Sequence, residues 1–211
     1  MLEGFDTIDW SSLTHAHGPA TDVPELLRSL LSKDADVRLQ ACAELHEKIW
    51  HQGTVYSASA AVVPFLYDLL THPDVPDQGC VVSLLCCIAT GEGWIQYGMR
   101  VDGEQTLRRT LASQGRSLEE AIKEAHAALE AIHRGVSAGL QQLLPYLSDR
   151  EGLASLVAQT LGNFPEHKSW LVPAIDAALA LESDEHVQRG LAESKTRLTT
   201  ASAGDCDPAR F

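Results

Sequence analysis

Apolar residues recur at helical spacing along most of the chain. In residues 32–50, Val37, Ala41, Leu45 and Ile49 repeat every four positions, which places them on one face of a helix. A second stripe with i, i+4 and i+7 spacing consists of Leu118, Ile122, Ala125, Leu129 and Ile132. No segment alternates between apolar and polar residues clearly enough to predict a strand. The pattern therefore predicts an all-α chain.

A short proline motif divides the chain into units. An apolar residue precedes the proline and an aliphatic residue follows it two positions later, as in Val23–Leu26, Val63–Leu66, Leu144–Leu147 and Val172–Ile175. The prolines are 40, 81 and 28 residues apart. Because the second gap is almost twice the first, we expect one degenerate unit within it. A period of this length is typical of helical repeats.

These units predict about five helix pairs. The pairs are 22–31 with 32–50, 57–70 with 80–90, 104–114 with 117–134, 136–147 with 151–164, and 170–181 with 185–198. Residues 91–103 are predicted to form a loop. We expect residues 1–20 to cap one end of a repeat domain over residues 21–198. The small, polar residues 199–211 are predicted to form a disordered tail.

The first unit carries a second pattern besides its proline. Asp34, Asp36, Val37 and Arg38 stand at the predicted turn into the second helix, and with the proline motif they resemble HEAT repeats. In that family the proline bends the first helix, and the aspartate and arginine form a polar ladder between neighbouring repeats. The other units lack the Asp/Arg pair, so the ladder is expected only here.

The resemblance covers roughly residues 20–198 and predicts an α-α superhelix. In such an array each helix pair buries its apolar face against its neighbours. The first third of the chain also resembles a group of bacterial HEAT-repeat proteins without an assigned activity. The resemblance therefore predicts the fold and a scaffold or protein-binding role, and it names no partner.

Charge limits the kind of partner. The chain has 29 acidic and 16 basic residues and a net charge of −13, which repels phosphate backbones. We therefore expect no nucleic-acid partner and a protein partner of basic or mixed charge. The best candidate for a basic stretch is interrupted by four acidic residues, so it is interpreted as a solvated helix surface. Its members are Arg100, Arg108, Arg109, Arg116 and Lys123.

Apolar runs and cysteines bear on location. The longest apolar run, Cys80–Ala89, is about half of the roughly twenty residues that a membrane span needs. The acidic N-terminus has no apolar segment of the kind found in signal peptides. These features predict a cytoplasmic protein with no membrane partner. The five cysteines are odd in number and form no C-x-x-C pair, which predicts reduced, structural thiols.

Two connecting segments are the candidate binding residues. Trp50, His51, Gln52 and Tyr56 crowd aromatic and polar side chains into the connection between the first two pairs. The predicted loop 91–103 carries a similar set, and such residues are enriched at interface hot spots. That set is Trp94, Tyr97 and Arg100. The alternative is that these aromatics only pack against neighbouring repeats, or that the second segment is a disordered connection.

Three sequence patterns resemble chemical sites. Gly135–Gly139 matches G-x-S-x-G, but a predicted helix precedes it where a nucleophile elbow needs a strand. Gly135 is therefore expected to end a helix and Ser137 to cap the next. Three residues on one helix face could hold a metal, but an ordinary polar flank of the helix is the favoured interpretation. These residues are His126, Glu130 and His133. His15 and His17 are a weaker candidate pair.

Two hypotheses of function follow. The first is a protein-binding scaffold whose acidic groove, including Glu44 and Glu47, receives a basic or mixed partner, with an immunity-like inhibitor of a toxin as one version. The second is a small enzyme or ligand-binding protein on a HEAT-like scaffold, lyase-like or glycosylase-like. Because no catalytic constellation is found, we expect no enzymatic activity, no cofactor and no metal.

Overall fold

The computed structural model describes residues 4–72, 75–148 and 152–201, and most of them are helical. This confirms the predicted all-α class. The described residues form ten α-helices: α1 (Val23–Ser29), α2 (Ala35–Ile49), α3 (Ser57–Thr71), α4 (Gln78–Thr90), α5 (Trp94–Val101), α6 (Glu104–Ser113), α7 (Leu118–Gly139), α8 (Leu153–Leu161), α9 (Lys168–Leu181) and α10 (Glu185–Thr200). A 3₁₀ helix, Leu140–Ser148, continues α7 directly.

Five two-residue strands occur in the part of the chain that the structure describes, and none was predicted from the sequence. They are β1 (Thr14–His15), β2 (Gly18–Pro19), β3 (Trp50–His51), β4 (Thr54–Val55) and β5 (Glu92–Gly93). β1 and β2 form an antiparallel hairpin. β4 pairs with β3 in the antiparallel direction and with β5 in the parallel direction. Strands this short show too little alternation to be read from the pattern of apolar residues.

Four helix pairs pack side by side in two layers, which we call the helical rows. The pairs are α1 with α2, α3 with α4, the Leu140–Ser148 3₁₀ helix with α8, and α9 with α10. The second helices contact one another in the order α2, α4, α8 and α10. In the other layer α3 contacts α7 and the 3₁₀ helix, which in turn contacts α9. Most of the buried apolar residues form one continuous core between these layers.

The N-terminal residues lie against α3. Two short 3₁₀ helices, Phe5–Thr7 and Trp10–Ser12, precede the β1–β2 hairpin. The ring of Phe5 packs edge-on against Phe65, with 5.0 Å between the ring centroids. The indole of Trp10 donates a hydrogen bond to the Phe5 carbonyl at 3.1 Å. Residues 1–3 lie outside the described residues. The predicted disordered tail over residues 199–211 was wrong at its start, because α10 extends to Thr200, and residues 202–211 lie outside the described residues.

The third unit joins the rows only through the second half of α7. Helices α5 and α6 pack with the first half of α7 around a separate small core, and we call these elements the insert. The core residues are Ile95, Leu107, Leu111, Leu118, Ala121 and Ala125. The predicted loop 91–103 was wrong, because most of it forms β5 and α5. α4 contacts α8 directly, so the insert lies beside the rows.

Helix α7 runs through the region where a helix end was expected. The prediction that Gly135 ends a helix and Ser137 caps the next was wrong, because α7 is continuous to Gly139. Both glycines instead allow α3 to approach closely. A Cβ on Gly135 would lie 3.1 Å from a methyl of Val63, and one on Gly139 would lie 2.4 Å from the Tyr67 ring.

The prediction of reduced thiols was wrong for two of the cysteines. Cys42 on α2 and Cys80 on α4 form a disulfide, with 6.3 Å between their Cα atoms. They are 38 residues apart, close to the 40-residue spacing of the first two prolines, so equivalent places in neighbouring pairs face each other. Cys86 and Cys87 are free thiols, and burial raises the pKa of Cys86 to about 12.

Arg38 also links the first two pairs. Its guanidinium donates hydrogen bonds to the Asp77 carboxylate, just before α4, and to the Ser32 carbonyl at 2.8 Å. Asp34 caps α2 by accepting from the Asp36 backbone N–H at 2.9 Å. The arginine of the predicted ladder therefore does reach the neighbouring pair.

Within the described ranges, no helix is long and apolar enough to cross a membrane.

Candidate functional site

The two candidate segments, separated in sequence by residues 57–90, meet in space. The β3–β4 hairpin closes the connection between α2 and α3, and β5 lies beside β4 as the chain leaves α4. The Glu92 backbone N–H donates to the Gly53 carbonyl at 2.8 Å. Helix α5 begins directly after β5, at Trp94. We call Trp50–Tyr56 together with Glu92–Arg100 the junction site.

A tight turn shapes the hairpin of the junction site. Gln52 and Gly53 have φ angles of 51° and 90°, the left-handed values that a two-residue hairpin turn requires. Gln52 is the one residue other than glycine with positive φ in the described chain. Its exposed side chain therefore stands at the tip of the hairpin. Such a conformation costs about 1–2 kcal/mol in a residue with a Cβ.

Hydrogen bonds fix the side chains at the base of the hairpin. Thr54 donates to the His51 carbonyl at 2.7 Å and shares a hydrogen bond of 2.6 Å with the Tyr56 hydroxyl. Burial raises the pKa of Tyr56, and the nearby Glu47 and Tyr97 act in the same direction. The phenol therefore stays neutral at physiological pH, and it donates to Thr54, whose own proton goes to the His51 carbonyl.

Several buried polar atoms in the junction site have no hydrogen-bond partner among the described residues. They are Trp50 Nε1 and both amide atoms of Gln96. His51 Nδ1 lies 2.9 Å from a Glu47 carboxylate oxygen, but the direction does not suit a hydrogen bond. Buried polar groups are normally satisfied, so each orphan needs an explanation. In a surface-connected segment, a bound group that completes these bonds is one such explanation.

Ion pairs and ring contacts hold the exposed face of the insert. Arg100 pairs with Glu92 at 2.7 Å and lies over the Tyr97 ring, 5.2 Å from its centroid. Arg116 lies over the Trp94 ring at 5.7 Å and pairs with Glu124. The three predicted residues Trp94, Tyr97 and Arg100 therefore all lie on α5. Trp94 and Tyr97 are half-buried and form an aromatic surface next to the hairpin, and Arg100 is exposed.

The two predicted acidic residues differ in their surroundings. Glu44 accepts from Gln40 at 3.0 Å and from Lys48 at 3.3 Å. Glu47 lies between two imidazoles, 3.4 Å from His17 Nε2 and 2.9 Å from His51 Nδ1. Glu44 is thus engaged by its own helix, whereas Glu47 lies where the β1–β2 hairpin meets the junction site.

The residues that could hold a metal differ from the histidine and glutamate patterns seen in the sequence. His133 bonds Glu166 at 2.7 Å, and Glu130 pairs with Arg134, so the face that also carries His126 does not converge. His15 is buried and bonds Asp22. The group found among the described residues is His17, Glu47 and His51, with ligand atoms within 4.8 Å of one another.

The G-x-S-x-G match is not a nucleophile elbow. Ser137 lies inside α7, with its hydroxyl 2.7 Å from His167 Nε2. The acid nearest in sequence to that imidazole, Glu166, bonds His133 instead. A helix interior also uses its backbone N–H groups internally, so it offers no oxyanion hole at the serine. The match is therefore explained by helix packing.

Sequence reasoning missed Gln96, Glu92 and His17 as members of this region. Gln96 and Glu92 lie in the segment already singled out, but neither residue type stands out there. The sequence groups His17 only with His15, because nothing in the local sequence connects the first hairpin with the end of α2.

Comparisons with known protein families, curated proteins and solved structures found no match.

Proposed function

We propose that the chain is a HEAT-type helical repeat module, an α-α superhelix, that binds a segment of a partner protein at the junction site. Support for the repeat assignment comes from the proline spacing, the four stacked pairs and the Arg38 link between the first two. The insert beside the rows is a departure from a uniform array, and it contributes half of the junction site.

One observation carries the binding proposal. Two aromatic and polar segments from different units meet through the β4–β5 pairing and keep buried polar atoms without partners. Trp50 Nε1 can donate, and the Gln96 amide can both donate and accept. A peptide backbone offers both kinds of group in a regular pattern. The flanking aromatic rings of Tyr56 and Tyr97 would add apolar contact area.

Charge supports a partner segment of basic or mixed charge. The net charge of −13 attracts cationic segments at long range, and this attraction weakens as salt is added. Arg100, Arg108 and Arg116 are each paired with a carboxylate, so this stretch is not the basic groove that the glycosylase-like alternative requires. An immunity-like inhibitor of a basic toxin is one version of the proposal.

Site-specific photo-crosslinking tests the proposal. A photoreactive amino acid is placed at Gln52 on the hairpin tip, at Arg100 on α5, and at the exposed Thr196 on α10 as the matched control. We expect Gln52 and Arg100 to capture the same partner in host cells and Thr196 to capture none. No shared adduct, or equal capture from Thr196, would contradict the proposal.

The captured partner then allows a test of the charge argument with purified proteins. Its association rate should fall with added salt and with charge reversal at Glu44 and Glu47, because both changes weaken the attractive field. A rate constant insensitive to both would remove the electrostatic part of the proposal.

A cytoplasmic location stays a prediction, and the Cys42–Cys80 disulfide weighs against it because disulfides persist mainly in oxidising compartments.

A further inference from the structure

We propose that His17, Glu47 and His51 form a zinc-binding site at the edge of the junction site. The three ligands come from two places in the fold. Glu47 lies in the last turn of α2 and His51 in β3, four residues further on, whereas His17 lies in the turn between β1 and β2. The site needs no partner protein, so it does not rest on the proposed function.

The distances suit a zinc ion without rearrangement of the backbone. Ligands bound tetrahedrally to zinc at about 2.0–2.2 Å lie roughly 3.4 Å from one another. A Glu47 carboxylate oxygen is 3.4 Å from His17 Nε2 and 2.9 Å from His51 Nδ1. All three ligand atoms lie within 4.8 Å of one another. Small side-chain rotations are therefore enough to bring them around one ion.

The orphaned nitrogen of His51 is a second, independent indication. His51 Nδ1 is buried and close to the Glu47 oxygen, yet the two are not aligned for a hydrogen bond. An imidazole nitrogen that makes no hydrogen bond has a lone pair available for a metal ion. The His51 tautomer that carries its proton on Nε2 leaves Nδ1 free to coordinate.

Hydrogen bonds hold the hairpin that carries His17 against the end of α2. The His17 backbone N–H donates to His15 Nδ1 at 3.0 Å, so His15 carries its proton on Nε2 and donates it to Asp22 at 3.0 Å. Lys48 donates to the same Asp22 carboxylate at 2.7 Å, and the Lys48 carbonyl accepts from the Ala16 N–H at 3.0 Å. The two ligand-bearing elements are thus fixed relative to each other before any ion binds.

The charge of Asp22 supports the hairpin, and the types of donor atom select the metal. Burial acts to raise the pKa of Asp22, but hydrogen bonds from Lys48 and His15 outweigh it and lower the pKa. Asp22 therefore stays ionised and keeps its hold on His15. Two imidazole nitrogens and one carboxylate oxygen suit zinc better than calcium or magnesium, which prefer all-oxygen sites.

Solvent exposure predicts an open coordination position. The side chains of His17 and Glu47 are 50% and 59% exposed, and that of His51 is 28% exposed. Three protein ligands with water at the fourth position are typical of zinc sites that accept a further ligand. A donor group from outside the chain could therefore complete the coordination.

Zinc titration of the tag-free, full-length chain tests the inference. Isothermal titration calorimetry with ZnCl₂ should give one bound ion per chain, and Co²⁺ in its place should give visible d–d absorption of a low-symmetry site. His17→Gln, Glu47→Gln and His51→Gln should each weaken zinc binding by about a hundredfold or more, since loss of even an outer-shell partner costs 10- to 100-fold. His186→Gln removes an exposed histidine on α10 and should bind as the parent chain does.

The controls separate loss of ligands from loss of fold. Far-UV circular dichroism and melting without metal should be unchanged in His17→Gln, because that side chain is half exposed on a turn. Absence of zinc binding by the parent chain would overturn the inference. Binding that survives His17→Gln and His51→Gln unchanged would place zinc elsewhere and would overturn it equally.

Discussion

The helical rows and the insert are held together by different means. The rows share one long core across four helix pairs and are also joined by the Cys42–Cys80 disulfide and the Arg38–Asp77 ion pair. The insert has a core of six buried residues, and its exposed face is held by ion pairs such as Arg108 with Glu119. Exposed ion pairs contribute little to stability. We therefore expect the rows to be the more stable part of the molecule.

This difference explains where the candidate site lies. The proline motif recurs in the rows and is absent from the insert. A regular array buries each helix pair against its neighbours, which leaves few buried polar groups without partners. The irregular unit breaks this pattern, and the orphaned atoms of Trp50 and Gln96 lie where it meets the rows, whereas a single such atom, Gln142 Oε1, is found in the rows among the described residues. The rows position the junction site, and the insert supplies half of its side chains.

Removing the disulfide should cause the largest loss of stability in the rows. Closing a loop of 38 residues contributes about 4 kcal/mol by restricting the unfolded chain. Cys80→Ala should lower the free energy of unfolding in urea by about that amount. Cys87→Ala, a free and half-buried thiol on the same helix, is the control and should cost much less. Equal losses in the two variants would show that the disulfide does not hold the rows.

Core truncations should separate the two regions next. Leu84→Ala in α4 removes a fully buried side chain from the rows and should cost about 3 kcal/mol, whereas Leu107→Ala in the insert should cost about 2 kcal/mol. Amide hydrogen exchange distinguishes them. Leu107→Ala should speed exchange in α5 and α6 and leave α3 and α4 protected. If exchange rose equally in all four helices, the two regions would unfold as one unit.

A change at the hairpin turn should have the smallest effect. Gly53→Ala places a Cβ at a φ of 90°, where it meets no neighbouring atom but adopts a strained conformation. The expected cost is about 1–2 kcal/mol, measured as a lower melting temperature. Gly79→Ala in the first turn of α4 has ordinary space and no positive φ, so it should be neutral or slightly stabilising. A neutral Gly53→Ala would contradict the turn geometry.

Local sequence was sufficient where periodicity is strong. The stripe in α2 predicted the helix correctly, and Ala41, Leu45 and Ile49 are buried. Its first member, Val37, lies near the start of the helix and is 40% exposed, and Leu39, two residues further on, is 71% exposed. Helix α5 was missed because eight residues with an internal glycine give too little periodic signal. Its existence depends on packing of Ile95 into the small core.

Contacts between units could be predicted only by combining local patterns with the repeat period. Gly53 and Glu92, like Cys42 and Cys80, are separated by about one period, so they occupy equivalent places in adjacent pairs. That reasoning would have suggested both the disulfide and the meeting of the two segments. It would not have found His17 beside Glu47, because the first hairpin lies outside the repeat and its position depends on tertiary hydrogen bonds.

Helix α7 packs in both regions and connects them rigidly. Its 22 residues extend about 33 Å at 1.5 Å per residue. Ala121 near one end is buried in the small core, while Gly139 at the other end is pressed against the Tyr67 ring. A rigid rod clamped in this way cannot tilt at one end alone. A ligand that moves α5 away from the β3–β4 hairpin must therefore also disturb the contact between Gly139 and the Tyr67 ring at the other end of α7.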